Sequence, residues 1–218
     1  MNNFIYLFFY GFLIYKTGGI SNDMRLFVAI DINNDDIEKF QNYLCKKCGF
    51  SPTYVKPTKK DNLHITINFI GEKNDHETKD IIIELTKMRF TSFKIVFNHI
   101  GIFPNILSPK IIWLGLDDQS TEKLSGVCFQ IYDILKKYAY KKNNDDGAFK
   151  DSDIKKFVPH LTVFRIRNNH RIPDLSSFSS RVISEYEVNK ISLKKSTITS
   201  NGPIYSDLFN IYADKKDD

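Results

Sequence analysis

Two short runs constrain this chain more than any other feature of it. Residues 63–70 read Leu-His-Ile-Thr-Ile-Asn-Phe-Ile, and residues 159–166 read Pro-His-Leu-Thr-Val-Phe-Arg-Ile. Both carry His-x-Thr inside an apolar stretch, and both alternate. In the first, Leu63, Ile65, Ile67 and Phe69 fall on one side of a strand, with His64, Thr66 and Asn68 on the other. In the second, Leu161 and Val163 share one side, and His160 and Thr162 the other. A strand of this pattern keeps its apolar face in a core and offers an imidazole and a hydroxyl, about 7 Å apart at two residues of rise, on its other face. Two such strands facing each other would line one cleft with two histidines and two hydroxyls, an apparatus suited to an anionic, phosphate-like group. A single histidine on a strand's polar face is ordinarily only a solvated residue. The repetition is what points to a shared site.

The remaining elements alternate around these runs. Strands are predicted over 25–32, 54–57, 93–100, 110–116, 188–197 and 208–212. Helices are predicted over 35–47, capped by Asp35 or Asp36 and stopped by Gly49, over 75–87, and over 120–140. The motif histidines stand about 100 residues apart, close to half the length of the chain from Met24 onward. That spacing predicts an α+β fold: a bilobal duplicated plan, two mainly antiparallel sheets around a central cleft with helices on the outside. Residues 141–156 are polar and charged and read as a loop, either a solvated insertion or a lid.

A length of 218 residues suits one bilobal domain, and 42% hydrophobic with 26% charged residues is ordinary globular composition. The net charge of +5 is compatible with a phosphate or nucleic-acid ligand without requiring one. Cys45 and Cys48 form a Cys-x-x-Cys and Cys128 stands alone; a redox pair needs a strand-to-helix context and zinc needs two more ligands, and neither is visible. Three cysteines without a disulfide framework point to a reducing compartment, the cytoplasm. Residues 4–15 are almost wholly apolar but too short for a comfortable membrane span, and no Lys or Arg precedes them. The expected domain therefore runs over 24–218, with 1–23 an appendage outside the fold; a membrane-surface anchor is the rival reading.

Beyond the two runs, the chain resembles the two-histidine phosphoesterases, and within them the RNA 2',3'-cyclic phosphodiesterases also called 2'-5' RNA ligases (LigT- or ThpR-like). The resemblance is carried by Met24-Arg25-Leu26-Phe27-Val28-Ala29-Ile30, by Val55-Lys56-Pro57 with Asn62 to Thr66 and Phe69-Ile70-Gly71-Glu72, by Ile112-Trp113-Leu114-Gly115, by Phe157 to Thr162, and by Ser196 with Gly202-Pro203-Ile204-Tyr205. It implies hydrolysis of a 2',3'-cyclic phosphate, on an RNA end or a small cyclic nucleotide, to a 2'-phosphate. It implies His64 and His160 as the catalytic pair, by analogy His160 the base and His64 the acid, with no metal and no cofactor, in a monomer away from membranes. Thr66 and Thr162 would bind non-bridging oxygens. Arg165 is a further candidate, because the family usually has Arg five residues after the second His. Strict alternation, however, puts Arg165 on the face opposite His160 unless the strand bulges or ends. Tyr205, Phe103 and Trp113 are candidates to stack on a base, with core packing the competing role for Trp113. The alternatives are 2'-5' ligation and a non-catalytic nucleotide- or RNA-binding module.

Overall fold

The computed structural model describes residues 23–138, 157–168, 170–179, 181–200 and 202–214, so both the apolar residues 4–15 and the polar stretch 141–156 lie outside the described residues. Strand β1 (Met24–Asp31) turns Met24, Leu26, Val28 and Ile30 to the core, so Arg25, Phe27, Ala29 and Asp31 point the other way. Helix α1 (Asp35–Cys48) is capped by Asn34, whose side chain accepts from the Asp36 N–H, not by Asp35 or Asp36 as expected. Gly49, at φ 63°, ends it in the left-handed conformation. Next come β2 (Val55–Pro57), β3 (His64–Lys73) and α2 (Asp75–Leu85), the last opened by an Asn74–Glu77 capping box. After them the chain forms β4 (Phe93–Phe103), β5 (Ile111–Leu116), α3 (Asp118–Leu135), β6 (His160–Ile166), β7 (Ser184–Val188), β8 (Lys190–Thr199) and β9 (Gly202–Tyr212). Two of these differ most from expectation: β7 has no counterpart among the predicted strands, and β9 begins six residues early. Both lie at the ends of the sheet, where few side chains are buried and alternation is faint.

The fold is α+β with antiparallel pairing throughout the sheet, as expected. The two expected sheets are halves of one, in the order β7-β4-β5-β6-β3-β1-β8-β9, with β2 also on β6. The halves meet at the motif strands, through a single ladder pair, Ile65 with Leu161. One half combines β1 and β3 with the last two strands of the chain, so the halves in space are not halves of the sequence.

The helices cover one face of the sheet, where Ile37, Leu44, Ile81, Leu124 and Ile131 join Ile65, Ile67, Leu161 and Val163 in a single core. Both motif strands bulge there. In β3 the partners run from Thr66–Ala29 to Asn68–Val28, skipping Ile67; in β6 they run from Thr162–Trp113 to Phe164–Ile112, skipping Val163. Each extra residue stands three after its histidine, and each of its carbonyls is met by a helix side chain. Cys128 of α3 donates to the Ile67 carbonyl at 3.5 Å, and Gln41 of α1 donates to the Val163 carbonyl at 2.7 Å. A bulge shifts the alternation by one. Phe69 therefore leaves the core face expected for it and joins Phe27 on the uncovered face, the one that no described helix covers, with ring centroids 6.0 Å apart, while Asn68 is buried. In β6, Phe164 is wholly buried and Arg165 is exposed on the face of His160.

Candidate active site

His64, Thr66, His160 and Thr162 all stand on the uncovered face. The strands that carry them do not confront each other across a cleft, as the sequence suggested; they are antiparallel neighbours at the seam of one sheet. The register through Ile65–Leu161 sets Thr66 toward His160 and His64 toward Thr162, so each imidazole has the other strand's hydroxyl beside it. The two histidines occupy diagonal positions, which in a regular antiparallel pair are roughly 7–8 Å apart.

Each ring is fixed in the same way. His64 Nδ1 lies 2.8 Å from the carbonyl of Asn62, and His160 Nδ1 lies 2.9 Å from that of Val158, in both cases two residues back. A carbonyl accepts only, so Nδ1 carries the proton and Nε2 is left as the working nitrogen in both. Burial pushes His64 down to about 4, reinforced by the cations Lys194 and Arg165 and opposed by the Asn62 carbonyl and Asp31. Burial also lowers His160, against the Val158 carbonyl.

The two rings have different surroundings. His64 lies 4.9 Å from the Tyr205 ring and 5.3 Å from that of Phe27. Behind it Asp31, its direct partner across β1 and β3, accepts from Lys194 Nζ at 2.9 Å, and Lys194 also donates to Asp207 at 2.5 Å. Lys190 joins the same carboxylates at 3.6 and 3.2 Å. Beside this network opens a cavity of about 540 Å³ lined by Ser92, Tyr186 and Tyr212 among others. His160 instead stands at the edge of an aromatic platform: Phe103 at 5.3 Å and perpendicular, Trp113 at 6.1 Å, and Phe103 stacked on Trp113 at 4.8 Å. Trp113 packs in a small cluster with Phe103 and Ile111, separate from the main core. Its indole lies so close over Gly101 that a Cβ there would come within 2.2 Å. Arg165 is close enough for its charge to act on both His64 and Tyr205; the Tyr205 hydroxyl is raised by burial against that pull.

The six residues singled out from sequence, His64, Thr66, His160, Thr162, Arg165 and Tyr205, thus share one face around the seam. Sequence reading missed Asp31, Lys194 and Asp207. The signal was available: Ile191 and Leu193 mark the core side of β8, so Ser192 and Lys194 had to face the site.

No group of three or more His, Cys, Asp or Glu among the described residues is placed to hold a metal. Cys45 and Cys48 are free thiols on α1, pushed up by burial, and the thiol of Cys128 is pushed up to about 12 by burial. Raised thiols are poor nucleophiles, consistent with the structural role of Cys128.

Residues 31–113 match the family model described as LigT like Phosphoesterase. The chain is 36% identical over 187 residues to the RNA 2',3'-cyclic phosphodiesterase of Archaeoglobus fulgidus, an alignment covering 85% of this chain and 98% of the relative. The chain belongs to the LigT-like phosphoesterase family. The protein of the same name from Methanocaldococcus jannaschii is 33% identical, over 84% of this chain and 96% of its own. In fold, LigT of E. coli, solved in complex with ATP, matches at a TM-score of 0.66 and 20% identity, over 89% of this chain and all of that one. TT0787 of Thermus thermophilus matches at 0.64 and 22%, over 87% of this chain and 97% of that one. The family-model match, residues 31–113, contains His64 but not His160, whereas the alignment to the Archaeoglobus fulgidus relative spans both. No helix among the described residues is long and apolar enough to cross a membrane.

Proposed function

We propose that this member of the family hydrolyses the 2',3'-cyclic phosphate at RNA 3' ends to a 2'-phosphate, by paired histidine catalysis without a metal. One observation carries the reading: two imidazoles, each with Nδ1 committed to the carbonyl two residues back, present Nε2 on one face with a threonine beside each. In-line hydrolysis needs a proton taken from the attacking water and another delivered to the departing O3' as the P–O3' bond breaks. Each such transfer contributes about 10²–10⁴ in rate. His160 is the base. His64 is the acid, because it alone of the two stands across from a carboxylate, Asp31. Burial and the neighbouring cations hold its proton weakly in the open site; the negative charge of a bound phosphodiester offsets them.

Thr66 and Thr162 donate to the non-bridging oxygens, and Arg165 supplies positive charge where negative charge grows in the transition state. Tyr205, edge-on to His64, is placed to pack on the ribose or base of the terminal nucleotide. The free thiols fit a reducing cytoplasm, and the reaction as drawn needs one copy of the chain. The test is incubation with the four nucleoside 2',3'-cyclic phosphates in the presence of EDTA. Formation of the nucleoside 2'-phosphate is expected; a 3'-phosphate product, or loss of turnover to the chelator, would refute the reading.

A further inference from the structure

The uncovered face continues past the phosphate site along β6, and there it gathers cations and an exposed ring that the chemistry does not use. The β2–β6 register pairs Lys56 with Arg165 and Val55 with Ile166, and the Arg167 N–H bonds the Tyr54 carbonyl at 2.8 Å. Val55 and Ile166 are buried in the core, so Tyr54, Lys56, Arg165 and Arg167 share the opposite face, that of His160. Just beyond, Asn168 adopts a left-handed conformation at φ 54°, and the His170 N–H returns to the Arg167 carbonyl at 3.1 Å. That turn folds His170 back on Tyr54, with ring centroids 4.6 Å apart and planes within 7°. Tyr54 remains 39% exposed.

We propose that this strip, Lys56, Arg167 and the Tyr54–His170 stack, binds the single-stranded RNA that precedes the cyclic phosphate. Four observations favour it. Lys39, Lys60 and Lys94 each sit on a carboxylate, whereas among the described residues neither Lys56 nor Arg167 is paired with one; Lys46, Lys59 and Lys79 are unpaired too, but only Lys56 and Arg167 combine that with a place beside Arg165 on the face of His160. The strip starts at Arg165, beside the phosphate site, so a strand whose end occupies the site can run directly onto it. Successive same-face residues of β6 are about 7 Å apart, comparable with one nucleotide step of an extended strand. A stacked aromatic pair with an exposed ring face suits an unpaired base of any identity. The strip thus selects polynucleotide ends over free cyclic nucleotides without reading sequence.

The inference rests on the proposed hydrolysis, and the experiment separates the two. kcat/KM is measured for a nucleoside 2',3'-cyclic phosphate and for single-stranded oligoribonucleotides of two to eight nucleotides with the same end, over a salt series. Wild type is expected to prefer the oligomers by about ten-fold or more at low salt, the worth of one stacked base. The double variant Lys56→Ser/Arg167→Ser should lose most of that preference and leave the nucleoside reaction unchanged. Its salt dependence on oligomers should flatten by roughly 0.7 in logarithmic slope per lost phosphate contact. Tyr54→Ala should lower oligomer turnover without altering the salt slope. Equal kcat/KM for nucleoside and oligomers in wild type, or an equal loss on both in the double variant, overturns the strip. No turnover of any cyclic phosphate overturns the hydrolysis itself.

Discussion

At the scale of the residue, the proposed catalysis comes down to what two imidazoles are permitted to do. Both have Nδ1 occupied and both have proton affinities pushed below the ordinary histidine value, His64 to about 4. The sign of the consequence is fixed. kcat/KM reports the free enzyme, where an acid and a base are needed in opposite protonation states, so its bell should centre below pH 6.5 and fall as the acid loses its proton. A bound phosphodiester anion raises the histidines, so the kcat profile should peak at higher pH than that of kcat/KM. Coincident profiles would show that substrate does not couple to the rings. Lys194 gives a second prediction. It is nearly buried between Asp31 and Asp207, and Lys194→Met leaves two carboxylates without their main partner. The loss should be on the order of 3 kcal/mol, the low end for a broken buried pair because both carboxylates keep some exposure. Removing a cation next to His64, the acid, should also move the alkaline limb of the kcat/KM profile to higher pH; a fall in stability with an unmoved profile would make Lys194 structural only.

At the scale of the element, the bulges decide where the chemistry sits. Simple alternation placed the His-x-Thr pairs on a shared face and went no further. It set Phe69 in the core, and Arg165 away from His160 unless β6 bulged. The bulge carbonyls are met by donors, Gln41 and Cys128, on helices 122 and 61 residues away in sequence, and that of Val163 also by the Thr58 N–H. Local pattern holds no record of such a contact, although the Arg five residues after the second His was visible. Gln41→Leu should lower stability by about 1–3 kcal/mol, chiefly through the Thr58 carbonyl it leaves unpaired, since the Val163 carbonyl keeps the Thr58 N–H at 2.9 Å. For a chain of this size that is a fall in Tm of several degrees, about 3–8 °C. With the bulge loosened, kcat should fall more than KM rises, because Arg165, the group displaced, acts on charge that grows in the transition state. An unchanged kcat in a destabilised variant would separate the bulge from the chemistry.

At the scale of the whole molecule, a sheet in two halves joined by one ladder pair puts both motif strands at its centre. The α+β class and antiparallel pairing were legible from strand and helix periodicity. The exchange that sends β8 and β9 to pair with β1 was not, because strand order depends on contacts far apart in sequence, and the edge strands have too little buried surface to show alternation. The exchange brings Tyr205, Lys194 and Asp207 to His64, so the first histidine's environment is built largely from the last 25 residues of the chain. The central claim is that His64 and His160 act together on one phosphorus. It is tested most directly by kcat on a nucleoside 2',3'-cyclic phosphate for His64→Ala, His160→Ala and the double variant, with folding checked by circular dichroism. Each single variant should lose about 10²–10⁴ in kcat, and the double variant should lose little more than the worse single one, as expected of groups acting as a unit. Near-wild-type turnover in either folded single variant would contradict the claim.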